Sequence, residues 1–204
     1  MLLIALLHVL SQDPPPPSVM PPPPVPIPSL PAGARERRPE FEIGRSSAGN
    51  LVYHGRFTPE GVEVLRSMIR PNDTVAVRGV GGDLAVALKI ARLVNAADGS
   101  VHIGGSCFRE CAAMATVADR FVVPRGGTLL FTRSSLLAAG NDAARALAAC
   151  IPATAPDRGL AWIAPEVIAG AGLSNIRIEW TVATEARESY ERLVAGEVVW
   201  VDAC

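Results

Sequence analysis

Residues 74–94 read TVAVRGVGGDLAVALKIARLV, and the order of their parts decides the fold. Thr74 to Arg78 is a short β-branched run preceded by Pro71-Asn72-Asp73, which predicts a strand. Gly79, Gly81 and Gly82 end it, and from Asp83 the apolar residues Leu84, Leu88, Ala91 and Val94 recur at helical spacing. A strand that turns through glycines into a helix is the repeating unit of a parallel sheet. The same alternation continues on both sides of it. Upstream, Leu51 to Tyr53 is strand-like, and Thr58-Pro59-Glu60 opens a helix that reaches about Ile69, with Val62, Leu65 and Ile69 on one face. Downstream come a strand at Ser100 to Ile103, a helix at Glu110 to Ala118, and strands at Arg120 to Val123 and Thr128 to Phe131. Helices over 141–150, Pro165 to Ala171 and Thr184 to Val194 and a strand at Ile176 to Val182 complete an α/β domain with a largely parallel sheet.

Composition sets the limits. The chain has 204 residues, 49% of them hydrophobic, and a formal charge of −1, which excludes a basic nucleic-acid binder. Among 19 basic residues only Lys89 is a lysine, a bias that fits a GC-rich bacterial genome better than a phosphate-binding design. Eleven of the 18 prolines fall within 14–31, so 13–42 reads as a Pro-rich and charged linker and 43–204 as a single domain behind that tether. Residues 1–12 are an apolar N-terminus. Leu2 to Leu10 is less than half as long as a spanning helix, so membrane association is at most peripheral. Its length suits the core of a signal peptide, although no basic residue precedes it. A periplasmic or otherwise exported protein and a cytoplasmic one both fit.

Four cysteines, at 107, 111, 150 and 204, form no C-x-x-C pair, and only three histidines accompany them. No metal site and no cofactor are expected. An even count allows two disulfides, which would agree with export. Cys107 and Cys111 are close enough in sequence to pair if the first lies outside a helix that the second begins, with free buried thiols as the alternative.

Two segments can carry chemistry. The glycines of Arg78-Gly-Val-Gly-Gly-Asp83 leave backbone N–H groups able to face an anion, but a dinucleotide fold needs a further glycine where Leu84 stands. A tight turn explains them equally well. The second segment, 104–114, reads GGSCFRECAAM and forms a strand-to-helix turn of the kind that presents nucleophiles. At its apex Arg109 and Glu110 are either a charge pair able to grip a carboxylate or a solvated face.

With these spacings, the stretch from Tyr53 to Ser135 resembles the periplasmic-type relatives of the Clp-protease proteolytic subunit, within the Clp/crotonase superfamily. Gly79-x-Gly-Gly looks like that family's S-x-G-G oxyanion loop, and Cys107-Phe-Arg-Glu-Cys111 looks like its C-x-S-A-C nucleophile turn. Leu129-Leu-Phe-Thr132 falls where the family has a strand ending in the catalytic His. The resemblance implies a ββα superhelix, an oxyanion site made by Gly81, Gly82 and the N–H of Glu110, and a homo-oligomer. It also marks what is missing, because Arg109 holds the Ser position and Thr132 the His position. Neither can replace the lost group near neutral pH. The expectation is a catalytically inactive, Clp-protease-like protein that binds an unidentified protein or peptide. The alternative is an active serine or cysteine acyl hydrolase with a displaced nucleophile, drawn from Ser106, Cys107 and His102.

Overall fold

The computed structural model describes residues 40–124, 127–156, 159–179 and 198–204. Its framework is a six-stranded sheet in the order β1 (Phe41–Arg45), β2 (Leu51–Phe57), β3 (Thr74–Gly82), β4 (Ser100–Ile103), β6 (Phe121–Val123), β9 (Ile176–Ile178). Every neighbouring pair is parallel except β1 with β2. Parallel neighbours need crossovers, and the segments read as helices supply them: α1 (Pro59–Met68) between β2 and β3, and α2 (Leu84–Ala96) between β3 and β4.

Both helices begin where their capping residues stand. The Thr58 hydroxyl accepts from the Gly61 N–H at 3.1 Å with Pro59 at the first helical position, and the Asp83 carboxylate accepts from Ala85 and Val86 at 2.7 and 3.2 Å. Val62 and Leu65 from α1 and Ala87, Ile90, Ala91 and Val94 from α2 are fully buried. They cover the sheet face formed by Leu51, Tyr53, Val75, Val77, Val101, Ile103 and Phe121. Leu84, expected to point inward, is only partly buried, because it is the first residue of its helix, next to the Asp83 cap.

Beyond β4 the chain follows a strand-strand-helix rhythm. β4 is in the large sheet, whereas β5 (Ser106–Phe108) pairs in parallel with β7 (Thr128–Leu130) in a second, two-stranded sheet. α3 (Glu110–Ala113) follows β5, and the next pair, β6 and β7, again divides between the two sheets before α4 (Arg133–Ala139). Gly105, at φ +133°, lies where the chain leaves one sheet for the other. This is a ββα arrangement in a mixed α/β domain with a parallel-rich sheet. α5 (Asp142–Cys150), β8 (Leu160–Ile163), α6 (Pro165–Gly170) and β10 (Val198–Val201) complete it, with β10 parallel to β8 and an antiparallel bridge from Phe131 to Ala161.

The structure departs from the sequence reading in several places. β1 begins at Phe41, inside the stretch read as linker, because Phe41 stacks on Tyr53 across the hairpin. The helix expected over Glu110 to Ala118 is one α-turn followed by a 3₁₀ turn, Met114–Thr116. β9 stops at Ile178, and the helix expected at Thr184 to Val194, Trp180, residues 1–12 and nearly all of the linker lie outside the described residues. Among the described residues no helix is long and apolar enough to cross a membrane, and no cluster of His, Cys, Asp or Glu could hold a metal.

Two disulfides brace the domain. Cys107 and Cys111 have Cα atoms 5.3 Å apart, and Cys150 and Cys204 have theirs 4.8 Å apart across a separation of 54 residues. In the chain-entropy account the longer loop contributes roughly 4 kcal/mol and the short one roughly 2.

Arg45 fixes the β1–β2 hairpin to the turn before β3. Its two terminal nitrogens donate to the two Asp73 oxygens at 3.0 and 2.7 Å and also to the carbonyls of Gly49 and Met68. The hydrogen bonds from Arg45 hold the Asp73 carboxyl below its ordinary value of 3.8, with the Arg70 N–H adding to the effect. A depressed carboxyl contributes stability above its unfolded pKa and loses it as pH falls through the folded value. Acid titration of the thermal midpoint should therefore show a steeper fall below pH 3.8 for the unmodified chain than for Asp73→Asn.

Gly82 sits at φ +138°, where an added Cβ would stand 2.5 Å from the Phe57 nitrogen, whereas Gly105 has a similar φ and open space around it. Gly105→Ala should cost about 1–2 kcal/mol from backbone strain alone, and Gly82→Ala clearly more, about 3 kcal/mol or above. Denaturant midpoints of the two variants measure the difference, and equal losses would refute the close approach.

Candidate functional site

The apex of the strand-to-helix turn is Arg109, at φ +53° and ψ −110°, a region that non-glycine residues rarely adopt. Strain of this kind costs about 1–3 kcal/mol and persists only where the surroundings over-determine it. Here they do. On one side β5 is paired residue by residue with β7, and the Arg109 N–H donates to the Leu130 carbonyl at 3.0 Å. On the other, the Ala113 N–H donates to the Arg109 carbonyl at 2.9 Å. The Cys107–Cys111 disulfide brackets the apex, and both sulfur residues are fully buried. The Arg109 side chain projects into solvent with no hydrogen bond or ion pair to any described residue.

The glycine loop is explained largely by Phe57. A Cβ at Gly79 would lie 2.3 Å from the Phe57 ring, and one at Gly82 would strike the Phe57 backbone. Both glycines are therefore needed for packing. Gly81 is different: it has φ +102° and faces the side chain of Glu110, whose Oε2 lies 3.8 Å from where its Cβ would be. A carboxylate is thus stationed against the loop that the family resemblance assigns to an oxyanion.

Thr132 is 2% exposed and caps α4. Its hydroxyl accepts from the Ser135 N–H at 3.2 Å and from the Ser134 hydroxyl at 3.4 Å and donates to the Ser135 hydroxyl at 2.7 Å, while Ser135 donates back to the Thr132 carbonyl. Its hydrogen-bonding capacity is spent on the helix start. The next residue, Arg133, has a buried Nε with no partner among the described residues, an orphaned donor directly beside the site.

The displaced candidates do not form a unit. His102 is half-buried on β4, on the sheet face opposite Val101 and Ile103, and burial is the main cause that lowers its pKa below 6.5, with Glu179 opposing and Arg177 reinforcing. Ser106 is exposed at the start of β5, and Cys107 is tied in its disulfide. No hydrogen bond joins His102 to Ser106 or Cys107, or Arg109 to Thr132. Sequence reasoning missed Phe57 as the reason for two of the glycines. An aromatic immediately before the Thr58 cap was the available signal.

No protein-family model and no curated protein matches the chain. Solved structures do. An enoyl-CoA hydratase from Mycobacterium smegmatis is similar at 13% identity, over 78% of this chain and 76% of that one, with a TM-score of 0.43. An enoyl-CoA hydratase from Mycobacterium avium subsp. paratuberculosis K-10 gives 13% identity, 77% and 76% coverage and a TM-score of 0.43. ClpP1 from Listeria monocytogenes gives 12% identity, 64% of this chain and 91% of that one, and a TM-score of 0.40.

If Arg109 carries stored strain, glycine at this position should relieve it. Arg109→Gly should raise the unfolding free energy by about 1 kcal/mol, the strain released less the extra chain entropy of glycine. A denaturant midpoint at or below that of the unmodified chain would remove the claim of strain.

Proposed function

We propose that the chain is a catalytically inactive member of the Clp/crotonase superfamily whose site binds a protein or peptide ligand. The observation that carries this reading is the elbow itself, a strained and covalently bracketed backbone with a guanidinium where a nucleophile would be. A guanidinium cannot attack an acyl carbon, and the hydroxyl at 132 is committed to capping. What these groups can do is bind. The unpaired Arg109 side chain can grip a carboxylate, and Glu110 offers an acceptor to a donor on the ligand. The two disulfides support a periplasmic or otherwise exported protein. Assembly into a homo-oligomer belongs to the same reading, since closed symmetric assemblies are the common form of soluble oligomers.

Activity-based labelling tests the proposal. The purified, folded chain should take up neither a fluorophosphonate nor, under non-reducing conditions, an iodoacetamide at any single residue. Stoichiometric labelling at Ser106 by the fluorophosphonate would establish the displaced-nucleophile alternative and end the inactive reading.

A further inference from the structure

The two disulfides differ in a way that gives the chain a second chemically competent site. Cys107 and Cys111 are both fully buried in the core, with no route for a reagent short of opening the domain. Cys150 is only partly buried and Cys204 is exposed. Both line a groove of about 390 Å³ between α5 and α6, whose other walls are Ala146, Val167, Gly170, Ala171 and, at its polar edge, Glu166. Small residues at 146, 170 and 171 leave the bond uncovered. Exchange requires a thiolate to reach a disulfide sulfur, so access selects which bond reacts.

We propose that Cys150–Cys204 is a thiol-exchange site that reacts with small dithiols while Cys107–Cys111 stays oxidised. A dithiol thiolate attacks the exposed Cys204 sulfur, forming a mixed disulfide and breaking the bond to Cys150, which leaves with the electron pair. Cys150 ends α5, where the helix dipole disfavours a thiolate, and its sulfur lies 3.3 Å from the Ala146 carbonyl. It therefore takes a proton and donates the resulting S–H to that oxygen. The second thiol of the reagent then attacks its own sulfur in the mixed disulfide, releasing Cys204 and a cyclic disulfide. Two electrons pass from the dithiol to the protein, and the bond count balances.

The structural effect is specific. Intact, the bond anchors the end of β10, whose own Trp200 packs on Trp162 with ring centroids 5.4 Å apart. Reduced, β10 loses its covalent tie to α5 and is held by non-covalent contacts, among them its four-residue ladder to β8 and the hydrogen bond from the Ala164 N–H to the Val201 carbonyl. The Trp162–Trp200 pair should report the loss of the anchor.

The test treats the full chain, under native conditions, with dithiothreitol, quenches at intervals with iodoacetamide and maps the alkylated cysteines by mass spectrometry. Alkylation at Cys150 and Cys204 at least tenfold faster than at Cys107 and Cys111 is expected, with a tryptophan emission change on the same time course. The Cys107→Ser/Cys111→Ser double variant should keep both, and Cys150→Ser should lack the emission step. Simultaneous reduction of the two bonds, or earlier reduction of Cys107–Cys111, overturns the proposal. Glutathione as a second probe should leave a mixed disulfide at Cys204; one found at Cys107 or Cys111 instead counts against it equally.

Discussion

The seating of Phe57 between two glycines is the constraint from which the site follows. Its ring occupies the space a side chain at 79 would need, and its backbone passes where one at 82 would be. The end of β2 can therefore run hard against the end of β3, and their register shifts between Gly55 and Phe57 to allow it. Because Asp83 then caps α2 at once, with its own N–H donating to the Phe57 carbonyl at 3.2 Å, the start of α2 is fixed relative to β2. Gly81 is left at the surface of this wedge, facing α3. A larger residue at either packing glycine would move the loop away from Glu110 before it affected any chemistry.

The second constraint is the division of strands between sheets. β4 with β5, and β6 with β7, each send one strand to the large sheet and one to the small, so α3 begins at the seam between the two layers. The seam is where irregular backbone can be held on several sides. Ladder pairing to β7, the helix turn and the buried disulfide all act on Arg109, which is how an unfavourable φ is tolerated there.

The strands and helices with clear local signals were legible in the sequence: Thr58-Pro59 as a helix start, the alternation in 74–78, and the capped Ala-rich helix after Asp83. The parts that were not share a physical cause. β5 has three residues, too few for any period to show, and β8 and β10 pair with each other across a long stretch of chain. α4 was hidden because Thr132 was read as the end of a strand, although a Thr with Ser three residues later is also a capping pattern. At the site, the positions of Arg109 and Thr132 were readable but their states were not. The sign of φ at 109, the burial of Thr132 and the contact of Glu110 with Gly81 all depend on residues distant in sequence.

A turn held by a ladder, a helix and a covalent bracket keeps its shape even though its apex residue is strained in it. Position 109 is therefore a display point. Side chains of different size and charge can be exchanged there while the backbone that presents them stays the same, so a substitution library at this one residue would vary chemistry over a constant scaffold.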